Sequence, residues 1–314
     1  MKIPFFPDSA SSGAGQVDHL YFFLIGMSVF FIVVIFVPMI FFLLKYRRGK
    51  KANRAHLNLP TNKIETTWTV IPTVIAIGIF GWAAKAYFDQ EVSPANTLEI
   101  NVVGKQWMWK VQHAEGNREI NELHIPVNRP VKLTLASEDV IHDFFVPAFR
   151  TKQDVVPGRF TTEWFQPTKT GAYHLFCSEY CGMDHAKMIG TVFVMEPADY
   201  ETWLAQTGDG NTLAQAGEKR YRQFGCSGCH NGPTTVRSPP LEGLYGKMVS
   251  LQDGKTIRAD EKYFRDSILL PNSQITAGYE ALMPTYQGRV SEEDLFQLIA
   301  YLKSIEKIAP PKIP

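Results

Sequence analysis

The chain has 314 residues, enough for two ordinary domains and additional segments, and 45% of them are hydrophobic. Its 32 Lys and Arg nearly balance its 31 Asp and Glu, and a net charge of +1 argues against a nucleic-acid partner, whose phosphates call for a basic excess. The 4 cysteines form two close pairs, Cys177 with Cys181 and Cys226 with Cys229, both at ligand-like spacing, so none is left for a structural disulfide.

Residues 1–17 hold Pro, Ser and Gly but no apolar stretch preceded by positive charge, so they read as an exposed tail without a cleavable secretory signal. Residues 18–90 read as a membrane hairpin, with helices at about 18–46 and 65–88. From Tyr21 to Leu44 the chain carries no charge for 24 residues. At about 1.5 Å per residue that length spans a hydrocarbon core of about 30 Å. A buried helix of a soluble protein would be shorter and less dense in Phe, Ile and Val.

The basic run Lys45-Tyr46-Arg47-Arg48-Gly49-Lys50-Lys51-Ala52-Asn53-Arg54 abuts the first helix, and the positive-inside rule puts it in the cytoplasm. A nucleic-acid patch is the weaker alternative. A second uncharged segment, Thr66 to Ala84, brings the chain back, with Trp68, Trp82 and Tyr87 near its ends as interfacial aromatics. Both termini then lie outside. Pro72 within it is tolerable where neighbouring helices satisfy the freed backbone groups, which points to a membrane partner. Glu65 stands where this helix is expected to start, a place where an acid simply favours the helix dipole.

Residues 91–198 change to short alternating runs: 98–102, 131–135, 160–165, 173–176 and 191–195, separated by turn signals such as Asn128-Arg129-Pro130 and Pro157-Gly158. Such strands predict a β-sandwich. Between its last two strands lies Cys177-Ser178-Glu179-Tyr180-Cys181-Gly182-Met183-Asp184-His185-Ala186-Lys187-Met188. Thiolates and a thioether combined with imidazole select copper or a similar soft ion. Three residues between the thiols let one turn bring both sulfurs to one side, and His185 and Met188 follow at steps of four and three. A disulfide gives no reason for that His and Met, and a structural zinc knuckle would leave Met188 idle. The site needs a further imidazole, for which His142 has the loop position a ligand prefers. His113, His124 and His174 lie in or beside strands and read as packing or surface residues, and His19 and His56 flank the first membrane helix.

His142, the Cys177-to-Met188 loop and the preceding hairpin resemble subunit II of cytochrome c oxidase over residues 15–197, with its cupredoxin domain and binuclear CuA centre. The resemblance implies that Cys177 and Cys181 bridge both coppers. His142 and Met188 would complete one, and His185 with the backbone carbonyl of Glu179 the other. The Glu179 carboxylate would then be free for magnesium at the boundary with subunit I, a hard ion suited to oxygen. Gly104-Lys105-Gln106-Trp107-Met108-Trp109 resembles the family's aromatic stretch, which makes Trp107 the point where electrons would enter from cytochrome c, although Met108 stands where the family commonly has Tyr. Buried packing is the plain alternative for a Trp in a strand. The same resemblance makes Glu65 the entrance of a proton path into subunit I.

Residues 199–211 read as a short helix and polar linker, and a further domain occupies 212–314. Cys226-Ser227-Gly228-Cys229-His230 is the c-type haem attachment pattern: two thioethers to the haem and an imidazole to its iron. A thioredoxin-like pair would need a βαβ setting, and a zinc ribbon a second cysteine pair. Met283 in Ala281-Leu282-Met283-Pro284 is the expected second axial ligand, Met248 lacking that context. Pro239-Pro240-Leu241-Glu242-Gly243 resembles the class I cytochrome c segment whose proline backs the ligand histidine; either proline fits. A last helix starts at Ser291-Glu292-Glu293-Asp294 and packs Leu295, Leu298, Ile299 and Leu302 over the haem.

The expected architecture is thus a multidomain membrane protein: a two-helix transmembrane hairpin, a cupredoxin-like β-sandwich and an all-α class I cytochrome c domain. The whole resembles a caa3-type subunit II, which implies CuA, one covalent haem c and possible magnesium as cofactors. It implies subunit I, subunit III, membrane lipid and cytochrome c or another respiratory donor as partners. The chain would sit multi-pass in a bacterial inner membrane with its N-terminus and both redox domains periplasmic, feeding electrons to an oxygen site that this chain lacks. The alternatives are the electron-input subunit of a CuA-containing nitric oxide reductase, and a membrane-tethered shuttle or copper sensor working alone.

Overall fold

The computed structural model describes residues 6–51, 61–208, 210–230 and 238–305. His56, the end of the basic run and the Pro310-to-Pro314 tail lie outside them. Two helices, α1 (Ala14–Lys45) and α2 (Thr61–Glu91), are long and apolar enough to cross a membrane, and their side chains are almost all exposed. Apolar exposure on this scale suits lipid or a partner helix, not water. Phe23 and Trp82 touch across the pair at 5.4 Å. Glu65 stands a full turn inside α2, not at its start, which removes it from the first-turn position where a helix dipole rewards an acid.

The expected exposed tail is not one over 6–13. Ala10, Ser11 and Ala14 are buried against the sandwich: the Ala10 amide donates to the Ala148 carbonyl at 2.9 Å, and Ser11 Oγ to that of Phe149 at 2.8 Å. Arg150 completes the attachment, its Nε 2.7 Å from Asp18 Oδ1 in the first turns of α1 and its Nη2 donating to Pro7 O at 2.8 Å. Short polar sequence hides this, because the partners lie more than a hundred residues away.

The sandwich comprises β1 (Leu98–Lys105), β2 (Met108–His113), β3 (Arg118–Ile120), β4 (Glu122–Pro126), β5 (Val131–Ser137), β6 (His142–Val146), β7 (Thr151–Val155), β8 (Thr161–Phe165), β9 (Gly171–Cys177) and β10 (Ile189–Met195). One sheet runs β3-β2-β1-β5-β8 and the other β4-β10-β9-β6-β7. The pairs β1–β5 and β4–β10 are parallel and the others antiparallel. Alternate residues face inward, so Ile100, Val102, Leu133, Leu135, Leu123, Ile125 and Leu175 form one core around Trp109 and Phe144. Burying such side chains stabilises by roughly 1.5–3 kcal/mol each. Strands β2, β3, β4, β6 and β7 had no clear alternation in sequence, since polar residues such as Gln112, His113, Glu119 and Asp143 are themselves buried.

Residues 199–211, expected as a short helix and polar linker, do begin in a helix, but one docked on the sandwich: α3 (Pro197–Thr207) buries Tyr200 and stacks Trp203 on His124 at 4.6 Å. The last domain holds α4 (Leu213–Gln223), α5 (Ser227–His230), α6 (Glu261–Leu269) and α7 (Glu292–Ser304). Thr212 caps α4 reciprocally with Gln215, and α7 crosses α4. Leu295, Leu298, Ile299 and Leu302 are buried. Set into this helical domain is a small ribbon, β11 (Met248–Ser250) with β12 (Thr256–Arg258), which the all-α expectation did not include.

Candidate redox centres

At one end of the sandwich, β9 stops at Cys177 and β10 resumes at Ile189, and the loop between folds its sulfurs back against the core. Cys177 Sγ and Cys181 Sγ are 3.7 Å apart, both thiols free. Cys177 Sγ lies 4.0 Å from His142 Nδ1 and 3.2 Å from the Glu179 carbonyl oxygen. Cys181 Sγ lies 3.5 Å from His185 Nδ1 and 3.8 Å from Met188 Sδ. Two sulfurs are thus ringed by two imidazole nitrogens, a thioether and a carbonyl, a donor set for soft copper and poor for a hard ion. Burial, and then the neighbouring Cys177, push the Cys181 thiol up to about 12, so a bound cation has to displace its proton. Glu179 itself is exposed.

His142 is not in a loop as expected; it is the first residue of β6 and fully buried. Its Nε2 donates to Asp139 Oδ1 at 2.8 Å, which leaves Nδ1 as the ligand atom. Asp139 also accepts the amides of Gln106 at 2.8 Å and Val140 at 2.7 Å. Although burial opposes it, these donors hold its carboxyl below the usual range. Asp143 is fully buried and raised, burial outweighing the hydrogen bond that it accepts from Ser178 Oγ at 2.6 Å. That bond anchors the start of the loop.

Trp107 is not in a strand: it occupies the turn between β1 and β2, half-buried over the loop. Its neighbour Gln106 donates from Nε2 to the Cys181 carbonyl at 2.7 Å. Gly182, at φ +121°, accommodates both: a Cβ there would stand 2.7 Å from Gln106 Nε2 and 3.4 Å from the Trp107 indole. Gly104 does the same for the histidine, since a Cβ would come within 2.9 Å of His142 Cδ2. Sequence reasoning missed Asp139, Gln106, Gly104 and Gly182. The Ser137-Glu138-Asp139 acid pair beside His142 was the available signal.

His113 and His124 share Glu119, which burial opposes but both imidazoles pull down to about 2; His113 Nε2 is 2.8 Å away. This hydrogen-bonded cluster, which Tyr200 joins at His113, pins α3 to the sandwich, in line with a packing role for both histidines. His174 is exposed.

In the last domain Cys226, Cys229, His230 and Met283 line one mostly apolar cavity of about 360 Å³, together with Leu298 and Leu302. His230 Nδ1 donates to the Pro239 carbonyl at 3.1 Å, so Pro239, not Pro240, backs the histidine and Nε2 remains for a metal. Burial pushes the His230 pKa down, against the Pro239 carbonyl. Met248 is exposed on β11, away from this lining. An apolar pocket with two thiols, a backed imidazole and a thioether fits a covalently attached haem.

Three family descriptions match the chain: "Cytochrome C oxidase subunit II, transmembrane domain" over residues 2–82, "Cytochrome C oxidase subunit II, periplasmic domain" over 117–195, and "Cytochrome c" over 214–306. A cytochrome c oxidase subunit 2 from Alkalihalophilus pseudofirmus is 32% identical over 308 residues, covering 92% of this chain and 86% of that protein. The chain belongs to the cytochrome c oxidase subunit II family. A subunit 2 of Cereibacter sphaeroides is 29% identical, covering 65% of this chain and 80% of that protein. The crystal structure of the periplasmic domain of subunit II of cytochrome oxidase of Bradyrhizobium japonicum is 33% identical, covering 37% of this chain and 96% of that one, with a TM-score of 0.36.

Membership in the subunit II family implies a CuA copper centre and association with subunit I in a haem-copper oxidase, and the cytochrome c domain implies haem c. The two apolar helices and the periplasmic-domain match make this a membrane protein with periplasmic domains.

Proposed function

We propose that this chain is the electron-input subunit of a respiratory haem-copper cytochrome c oxidase, accepting electrons at its cytochrome domain and passing them through the sandwich to subunit I, where oxygen is reduced to water with proton translocation. The observation that carries this reading is the convergence of Cys177, Cys181, His142, His185, Met188 and the Glu179 carbonyl in one chain with a haem-sized cavity that holds Cys226, Cys229, His230 and Met283. When bound, the copper pair and the haem each supply a one-electron couple.

The residues have distinct parts. Cys177, Cys181, His142, Met188, His185 and the Glu179 carbonyl would hold the copper pair. Asp139 holds the tautomer of His142, and the rigid strand ends keep the donors from rearranging as charge changes. Cys226, Cys229, His230 and Met283 would hold the haem. The exposed Glu179 carboxylate holds magnesium at the subunit I boundary. Trp107, over Gly182, offers an aromatic contact from an external cytochrome c, and Glu65, exposed on α2, opens a proton path in subunit I. The domains divide at about 90, 198 and 211, subunit III joins the assembly, and the chain spans a bacterial inner membrane twice.

Purification of the full chain in mild detergent tests this. Two coppers and one covalent haem per chain, with a co-purifying polytopic haem-copper protein that reduces oxygen, are expected. Zinc or a single blue copper would overturn the site assignment; a nitric-oxide-reducing partner, or none, would overturn the oxidase role.

A further inference from the structure

The chain that leaves the sandwich is not a loose tether. Along α3, Asn117 Nδ2 donates to the Leu204 carbonyl at 2.9 Å and to Thr207 Oγ1 at 2.7 Å. At the start of α4 the Leu213 amide donates to the Ala114 carbonyl at 3.0 Å. From its other end the cytochrome domain lays α7 on the outer face of β1 and β5. Phe296, 4% exposed, packs on Val103 and Ala136, both fully covered, and stacks on Phe160 at 4.8 Å. Arg265 is 3% exposed; its Nη1 donates to the Gly158 carbonyl at 2.8 Å, its Nη2 pairs with Glu292, and its guanidinium lies 5.2 Å from the Phe160 ring centre. Ion pairs form the rim: Lys110 with Glu293 at 2.8 Å, and Lys303 with Glu99 at 3.2 Å.

The helix used for this contact is also a wall of the haem pocket. Leu298 and Leu302 of α7 face the cavity, while Phe296 faces the sheet. Beyond Phe296, Val103 is followed by Gly104, whose missing side chain lets the His142 ring approach the strand. One helix and one strand therefore separate the haem cavity from a ligand of the copper site.

We propose that the cytochrome domain works docked, with α7 as the common wall and Arg265 with Phe296 as its lock, and that electrons reach the copper site without any domain rearrangement. The donor and acceptor rest on the function proposed above; the dock itself does not. One electron leaves ferrous haem, which becomes ferric, and reduces the copper pair by one equivalent, with no bond or proton changed. A tethered domain would instead have to search for its site at an effective concentration of about millimolar. Because the centre of the contact is apolar and Arg265 is buried, salt screens only the rim.

Hydroxyl-radical footprinting of the full holo-chain in detergent reads the dock without electron transfer. Phe160 and Phe296 should be shielded, and remain so at high salt. Arg265→Ala should raise their oxidation at least fivefold while the haem and copper spectra stay intact. Should that variant misfold, the charge reversals Lys110→Glu and Glu293→Lys probe the rim: each alone should raise oxidation at low salt. Flash reduction of the haem should then give a transfer rate to copper that is independent of glycerol viscosity in the native chain. Oxidation of Phe296 at the rate of an exposed ring, unchanged shielding in Arg265→Ala together with both single reversals, or a rate that falls with viscosity would overturn the proposal. Intact shielding without any transfer would instead refute the electron-input reading.

Discussion

Asp139 Oδ1 accepts the Nε2 proton of His142 at 2.8 Å, and Asp139 Oδ2 accepts the Gln106 amide at 2.8 Å, so one carboxylate fixes both the ligand's tautomer and the turn that carries Trp107. Outer-shell groups of this kind set metal affinity through the orientation of the ligand. Asp139→Ala should lower copper affinity by about 10–100-fold while the chain stays folded. Competitive copper titration followed by circular dichroism measures both, and native affinity in the variant would refute the role.

Glu179 serves the site with its backbone, as its carbonyl lies 3.2 Å from Cys177 Sγ, while its side chain is exposed. Glu179→Gln should therefore leave the copper spectrum intact and weaken magnesium at the subunit I boundary. Manganese substituted for magnesium gives a paramagnetic readout; equal loss of both metals would contradict the division of labour.

Glu163, in β8, is buried, and burial, opposed by Thr151 and reinforced by the Asp143 charge, pushes its pKa up to about 8. Below the ordinary value of 4.5 both folded and unfolded chains keep the proton, and its contribution to stability is intact. As pH rises the unfolded chain ionises first, so stability falls by up to about 1.4 kcal/mol per pH unit until the folded group titrates. The sandwich should melt at lower temperature near pH 8 than near pH 5, and Glu163→Gln should flatten that slope. A slope that survives the substitution would place its origin elsewhere.

Met283 lines the haem cavity beside His230, whereas Met248 is exposed on a ribbon. Thioether ligation raises the potential of a c-type haem. Met283→Ala should keep the haem attached through Cys226 and Cys229 but lower its midpoint potential, with Met248→Ala as the neutral control. A redox titration in which only Met248→Ala shifts would reverse the assignment.

What the sequence determined by itself was chemistry that depends on local spacing. Cys177-to-Met188 and Cys226-to-His230 carry most of their donors within one turn or loop, and 24 uncharged residues are a membrane span wherever they sit. Hydrophobic period likewise marked five strands and the last helix, because their partners are supplied by any core of the right shape.

Tertiary structure alone decided what rests on long-range contact. Asp139 and Gln106 join the copper site only because β1 pairs with β5 and brings their turns together. The 6–13 segment is a strap and 199–207 a docked helix because distant side chains donate hydrogen bonds to their carbonyls, Arg150 to the first and Asn117 to the second. Choosing Pro239 over Pro240 needed one hydrogen bond, to His230. The cytochrome domain's seat was legible nowhere in the pattern: Phe296 and Phe160 each look like ordinary core residues, and Arg265 like an ordinary surface charge. Only their convergence shows that they face each other across two domains, a relationship set by contacts far apart in the chain.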